Sequence, residues 1–413
     1  MARKMKDSGI EWLGSIPADW YIVRLRYLCQ VSTGNKDTIN KDDDGQYPFY
    51  VRSPIVERIN SYSYDGEAVL MAGDGVGAGK VFHYANGKFD YHQRVYNIHG
   101  FKGVKAKYLY YYLMENFRKE IEQSNAKSTV DSIRLPMLLD FPISVGNQEE
   151  QQSIADYLDR KCSLIDSIME KQKTVIEKLK LYKQSIITEA VTKGLDPNVK
   201  MKPSGIEWIG HVPENWVICR IKDVAELNPK FSDSFSFNNN DEVSFCPMEC
   251  IGQGYMTPTI STIDRVKNGY TFFADGDIVM AKVTPCFENG NIAIADGLTN
   301  GIGFGSTELY VFRSKRVNRL LLFYFLQNTI FRERCISSMY GVGGLKRVPL
   351  EFINTYHLAL PPIKEQRIIA EFLKYRCSQI DATVSIKQNL IDKLTDYKKS
   401  LIYECVTGKR EVV

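Results

Sequence analysis

The sequence predicts an α+β protein built as an internal duplication. Two globular mixed α/β domains are separated by two long helices that pair as an antiparallel coiled coil, with pseudo-twofold symmetry. Three observations lead there. Residues Lys4–Trp20 read KMKDSGIEWLGSIPADW and Lys200–Trp216 read KMKPSGIEWIGHVPENW, identical at eleven of seventeen positions with an offset of 196. A longer block starting at Glu150-Gln151 recurs from Glu365-Gln366 and continues ungapped to Val191-Thr192 and Val406-Thr407, now with an offset of 215. Neither copy of that block contains Gly or Pro, and both carry apolar residues every seven positions. A repeat at fixed spacing is a duplicated structural unit, and a heptad repeat is a helical seam.

These repeats divide the chain into an N-terminal segment (1–20), a first domain (21–146), a central region with a long helix (147–200), a second copy of the segment (201–216), a second domain (217–361) and a C-terminal region with a long helix (362–413). In the central helix Leu158, Ile165, Leu179 and Ile186 form one row and Ile154, Ile168, Val175 and Tyr182 a second, with Ala155, Cys162, Met169, Ile176 and Ala190 beside them. Lys193-Gly194 and Pro197 stop it. Ile369, Leu373, Ile380, Leu390, Leu394, Tyr397 and Leu401 repeat the pattern, and Gln172 and Lys387 interrupt it at matched positions. About forty helical residues span on the order of 60 Å. A rod of that length cannot bury its stripe alone, so the two pair, antiparallel because the chain must travel out to a domain and return. Val191-Thr192 leads to Lys200-Met201-Lys202, and by a cyclic logic Val406-Thr407 should lead toward Lys4-Met5-Lys6, which places the N- and C-termini near each other.

The two inserts are poorly matched. Runs such as Ala68–Met71, Val95–Ile98, Ile278–Ala281, Ile292–Ala295 and Leu309–Phe312 read as strands between Gly, Asn and Asp turns, with helices near Lys107–Gln123 and Val317–Met339. Two local echoes survive: Asp65–Ala72 against Asp275–Lys282, and Arg134-Leu135-Pro136 against Arg347-Val348-Pro349. Similar frames with dissimilar inserts imply one scaffold carrying two recognition surfaces.

Composition is that of an ordinary globular protein, 44% hydrophobic with a net charge of +4. No apolar run approaches the ~18–20 residues of a membrane span, and the basic start Met1–Lys6 leads into no apolar stretch, so a cytoplasmic location is expected. Nine scattered cysteines argue for reduced thiols rather than a disulfide framework, and no second pair completes a zinc site with Cys246 and Cys250. The mild charge permits nucleic acid without demanding it.

Catalytic signatures are missing. Gly73–Lys80 imitates a phosphate loop, but Asp74 stands where the first glycine is needed and Val81 where Ser or Thr is needed. The stretch reads instead as a flexible hairpin loop whose backbone can approach a ligand closely. No methyl-donor fingerprint, H-E-x-x-H or histidine constellation is present; His92, near Arg94, reads as a surface or packing residue, with a DNA contact the alternative. No catalytic or metal residue is assigned. A binding protein with two recognition surfaces, a non-catalytic coiled-coil scaffold and a stand-alone DNA-modifying enzyme are the readings that these residues leave open.

The twice-repeated opening Ser8–Trp20 and Ser204–Trp216, each followed by a divergent domain and then by Gln148–Ala155 or Pro362–Ala370 leading into a long helix, resembles the specificity subunit of type I restriction–modification enzymes. The likeness covers nearly the whole chain; Asn147-Gln148-Glu149 departs from the proline-rich approach seen at Pro361-Pro362. The resemblance implies that each insert is a target recognition domain reading one half of a bipartite double-stranded DNA site. It implies that the helices set the spacing and dock two methyltransferase subunits, which motor–nuclease subunits can join. It implies no cofactor in this chain, with S-adenosylmethionine, ATP and magnesium on the partners. Half-sites lie about one turn, roughly 34–36 Å, apart, within reach of such a rod.

Base and phosphate contacts are expected from polar loop residues, since Arg and Lys suit guanine, Asn and Gln suit adenine, and phosphates take any donor. The candidates are Lys80, Gln93, Arg94, Lys127, Ser128, Thr129 and Arg134 in the first insert, and Lys282, Thr284, Asn289, Ser306, Thr307, Lys346 and Arg347 in the second. Gly73–Gly79 and Gly341–Gly344 are the matching backbone-approach loops. Trp12, Trp20, Trp208 and Trp216 are expected to pin each insert to the helices or to dock partners, as are Glu150, Gln151, Glu365 and Gln366.

Overall fold

The computed structural model describes residues 3–124, 132–231, 237–342 and 344–412. The chain divides into two compact units, Met1–Lys173 with Gln388–Val413, and Thr174–Lys387. The central helix, Gln148–Lys193, and the C-terminal helix, Ile363–Val406, each contribute one portion to each unit.

In the first unit the insert is closed by its own ends, with Tyr21–Arg24 pairing antiparallel with Pro142–Val145. Between them lies a six-stranded sheet in the order Gln30–Thr33, Val95–His99, Tyr64–Ala72, Phe82–Tyr91, Tyr47–Tyr50 and Glu57–Ile59. Gly66 and Gly87 face each other across its longest ribbon at φ +144° and +106°, conformations that favour glycine. Helix Ala106–Ser124 buries Tyr108, Leu109, Tyr112, Leu113 and Phe117 into one core with Leu158 and Ile165 of the central helix and Leu401 and Cys405 of the C-terminal helix. The C-terminal turn lies against the N-terminal segment, as the cyclic logic requires. Lys409 Nζ donates to the Leu13 carbonyl at 2.7 Å and the Tyr403 hydroxyl to that of Trp12 at 3.1 Å.

The second unit repeats this frame around a different insert. Val217–Arg220 pairs with His357–Leu360, as its counterpart does. The interior holds two four-stranded sheets. One is ordered Ala225–Leu227, Leu309–Ser314, Ile278–Ala281, Ile292–Ile294; the other Thr259–Thr262, Glu242–Cys246, Ile302–Gly305, Thr271–Ala274. The helical stretch expected over Val317–Met339 is two helices, Arg319–Phe325 and Thr329–Ser338. Asn318 and Asn328 each cap the helix that follows, accepting backbone N–H groups that have no intrahelical partner.

Within each unit the helix portions run antiparallel. In the first, Lys398 Nζ donates to Asp166 at 2.7 Å, and Thr395, three residues back, meets Met169, three residues on. In the second, Lys183 Nζ donates to Asp381 at 2.7 Å. The 215-residue offset carries Asp166 onto Asp381 and Lys183 onto Lys398, so the same ion pair is built twice. The buried seam follows the row Ala155, Cys162, Ile176 and Ala190 with Leu158 and Ile165, and likewise Ala370, Leu373, Cys377, Ile380 and Ile391. The second row expected from the sequence does not hold throughout: Val175, Tyr182, Leu390 and Tyr397 are exposed. Three apolar rows satisfied a heptad, but only two can face the partner helix. Gln172 and Lys387 are half-buried. Among the described residues no helix is long and apolar enough to cross a membrane.

Each long helix begins with a two-residue lock. Glu150 accepts the Trp20 indole N–H at 2.7 Å, and Glu365 accepts that of Trp216 at 3.0 Å. Both indoles are fully buried. The next residue is a buried glutamine. Gln151 donates to the Gly146 carbonyl and accepts from the Lys105 amide; Gln366 donates to the Pro361 carbonyl and accepts from the Asn318 amide. Trp12 stacks on Phe141 at 5.9 Å, and Trp208 packs on Tyr356 at 6.1 Å under the Arg334 guanidinium. Trp20 and Trp216 thus join segment to helix, while Trp12 and Trp208 join segment to insert. Replacing Gln366 with Leu keeps the volume but strands two buried backbone groups, so stability should fall by about 2–3 kcal/mol, read by calorimetry as a lowered transition.

Candidate nucleic-acid interface

Most of the polar candidates converge on one structural feature, present in both units. It is a three-way junction where the central strand of the sheet ends. In the first unit the Gly73 amide donates to the Arg94 carbonyl at 2.9 Å, and the Gly73 carbonyl accepts from the Ile133 amide at 2.7 Å. In the second, the Lys282 amide donates to the Glu308 carbonyl and the Lys282 carbonyl accepts from the Val348 amide, both at 3.0 Å. Each junction is stitched by a tyrosine that the sequence reading did not single out. The Tyr96 hydroxyl donates to the Ile133 carbonyl at 2.9 Å, and the Tyr310 hydroxyl to the Val348 carbonyl at 2.8 Å. Burial raises both phenols, Tyr310 to about 12, so each remains a donor at neutral pH.

Around the first junction, Asp74 holds two arginines, Arg94 on one carboxylate oxygen and Arg52 on the other, each at 3.0 Å. Arg52 and Asp74 were absent from the sequence candidates. Arg94 stays exposed, as do Lys80 on the neighbouring loop and Arg134, which precedes the short helix Leu135–Leu139. Gln93 is exposed and donates to Asp37 at 2.9 Å. His92 is buried; its Nδ1 accepts the Arg94 amide at 2.9 Å, and burial lowers its pKa, so it packs as a neutral ring. Lys127, Ser128 and Thr129 lie outside the described residues, as does Gly343 of the second loop.

Around the second junction, Arg347 grips Glu308 with two parallel bonds of 2.8 and 2.7 Å. This bidentate geometry fixes the guanidinium plane. The Thr284 hydroxyl donates to the Gly344 carbonyl at 2.5 Å and accepts the Lys346 amide at 2.9 Å. It is therefore spent on holding the hairpin Tyr340–Val342 with Leu345–Arg347. Lys346 and Thr307 are exposed; Ser306 accepts the Glu308 amide. Lys282 lays its ammonium 5.3 Å from the Tyr310 ring centre. Asn289 is placed apart from this group, in a cleft of about 360 Å³ beside Lys180, Lys183 and Arg332.

The arrangement can hold cationic and polar groups at the mouth of a sheet, with Arg52, Arg94 and Arg347 oriented by carboxylates. Among the described residues no cluster of His, Cys, Asp or Glu could hold a metal ion.

The family model of the type I restriction modification DNA specificity domain matches this chain twice, over residues 17–178 and 213–396. The chain belongs to that family. Each match takes in one insert and much of the helix behind it. Among specificity subunits, the EcoDI type I restriction enzyme subunit of Escherichia coli is 25% identical over 414 residues, covering 96% of this chain and 90% of its own. The MjaVIII subunit of Methanocaldococcus jannaschii is 25% identical over 424 residues, covering 96% and 94%. The EcoAI subunit of Escherichia coli reaches 39%, but over 201 residues, 45% of this chain and 34% of its own. A chain from a structure of type I R-M complex assembly and conformational transition superposes with a TM-score of 0.69 at 14% identity, over 95% of this chain and 98% of that one. The HsdS subunit of Thermoanaerobacter tengcongensis gives 0.50 at 14% identity, over 96% and 98%. At such identities these structures establish the specificity-subunit fold.

Removing the Tyr310 hydroxyl with Tyr310→Phe should destabilise the second junction by about 1 kcal/mol, seen as faster hydrogen exchange at the Val348 amide. The Glu308–Arg347 pair sets an acid limit. Its hydrogen bonds hold the Glu308 carboxyl below its ordinary value of 4.5, against the opposing effect of burial. The pair's contribution is therefore present above about pH 4.5 and is lost as acidification passes through the lower folded value. Glu308→Gln should flatten that part of the pH–stability curve.

Proposed function

We propose that this chain is the non-catalytic, DNA-reading subunit of a type I restriction–modification complex, acting in the cytoplasm. Each insert reads one half of a bipartite double-stranded site through its junction. The paired helices set the spacing between half-sites and dock two methyltransferase subunits. Adenine methylation, with S-adenosylmethionine, belongs to those partners, and DNA cleavage, with ATP and magnesium, to motor–nuclease subunits. The observation that carries this reading is the pairing of a twice-built frame with two chemically different junctions. One presents Arg52 and Arg94 on Asp74; the other presents Arg347 on Glu308 beside Lys346. A scaffold without a DNA function would have no reason to keep one frame and vary the cationic loops. Family membership supplies independent support.

Methylome sequencing of cells expressing the complex tests it. A two-part motif with a fixed gap is expected, and Arg94→Ala should relax one half while leaving the other intact. Methyl transfer by this chain alone, or equal affinity for all sequences in the complex, would contradict the reading. Seven residues inserted into both helices, keeping the heptad phase, should lengthen the gap by about three base pairs, because seven helical residues rise ~10.5 Å.

A further inference from the structure

The ion pairs leave one feature of both junctions unexplained. Val76 is 92% exposed and Val342 is 89% exposed. Each sits in the same short pattern, Gly75-Val76-Gly77-Ala78-Gly79-Lys80 and Gly341-Val342-Gly343-Gly344-Leu345-Lys346. The two stretches occupy different places in the fold. The first connects Tyr64–Ala72 to Phe82–Tyr91; the second is part of the hairpin that leads to Arg347. Their likeness is therefore not inherited from the duplication, and a shared task is the simpler cause.

Both valines are held, not trailing. In the first loop the Ala78 amide donates to the Gly75 carbonyl at 3.0 Å and the Lys80 amide to the Gly77 carbonyl at 2.9 Å. A side chain at Gly77 would meet the Arg52 carbonyl at 2.3 Å, so the loop lies tightly on the segment that carries Arg52. In the second, a side chain at Gly341 would meet the Leu345 carbonyl at 2.2 Å, and Val342 pairs with Leu345 across the hairpin. Thr284 pins that hairpin to the junction.

A branched apolar side chain fixed in solvent next to oriented cations suits one particular ligand group. In the major groove the thymine C5-methyl is the apolar mark among hydrogen-bonding edges. A protein-docking anchor would sit within an apolar cluster, whereas the loop that carries Val76 ends in Lys80 and packs on Arg52, and the hairpin that carries Val342, though it also exposes Tyr340 and Leu345, bears Lys346 and Arg347. Valine is also too short for the wedge role taken by longer side chains that unstack bases. We propose that Val76 and Val342 read thymine methyl groups, one in each half of the bipartite site. The proposal rests on the DNA-reading function given above.

The test uses the complete complex with its methyltransferase subunits and a duplex bearing the mapped site. Each thymine is replaced in turn by uracil, which removes only the methyl. One thymine in each half should matter, with affinity falling about fourfold on its replacement. Val76→Ala should abolish that sensitivity in one half alone, and Val342→Ala in the other alone. Both positions are exposed, so neither variant should unfold, and Val76→Thr, which keeps the branched shape, should give an intermediate loss. Sensitivity to uracil that persists in the Ala variants, or none in the wild type, would overturn the proposal while leaving site recognition intact. Impaired assembly with the methyltransferase subunits and unchanged base preference would overturn it in favour of a protein contact. Failure of the wild-type complex to prefer its site at all would instead remove the DNA-reading function itself.

Discussion

The repeated segment, the insert and the long helix of each unit meet at the Glu-Gln pair near the start of that helix. The glutamate accepts the indole of a tryptophan that ends the repeated segment, and the glutamine holds backbone from two points of the insert. One dipeptide thus ties segment, insert and helix together. The glutamine and the indole are buried and the glutamate is half-buried, so these hydrogen bonds are costly to leave unmade. The inserts are free to diverge because their attachment does not depend on their own surface residues. This is a physical reason for repeated frames to carry dissimilar domains.

The helices add the second constraint. Their seam is apolar, but each unit also sets a lysine on one helix against an aspartate on the other, at positions matched by the duplication. These pairs are partly exposed and add little stability, roughly 0–1 kcal/mol each. Their effect is on register, since an axial slip of either helix would separate them. The spacing role proposed for the helices needs a fixed register more than extra stability.

What the sequence revealed follows the same division. The frame was legible because its residues make identical contacts twice, and identical contacts preserve identical residues. Ser8–Trp20, Glu150-Gln151 and their copies announced themselves in this way. The junctions were legible only in outline. Arg94, Arg134, Lys346 and Arg347 could be named from their loops, but Asp74 and Glu308, which orient arginines, and Arg52, which shares Asp74 with Arg94, come from separate strands and loops and leave no local pattern. Tyr96 and Tyr310 do the same work in both units, yet a lone tyrosine in an aromatic-rich insert carries no signal until the strands are aligned. Thr284 had the composition of a contact residue, but its hydroxyl is consumed by the hairpin. The exposed Val175 and Tyr182 show the limit of periodicity: a heptad count does not say which rows meet a partner.

The central claim is that one frame presents two independent readers. It is tested most directly by exchanging residues 217–361 for the corresponding insert of another specificity subunit and sequencing the methylome written by the chimaeric complex. The account predicts that one half-site changes to that of the donor while the other half-site and the gap between them stay as they were. A change in both halves, or in the gap, would show that the inserts and the frame are not separable, and would contradict the account.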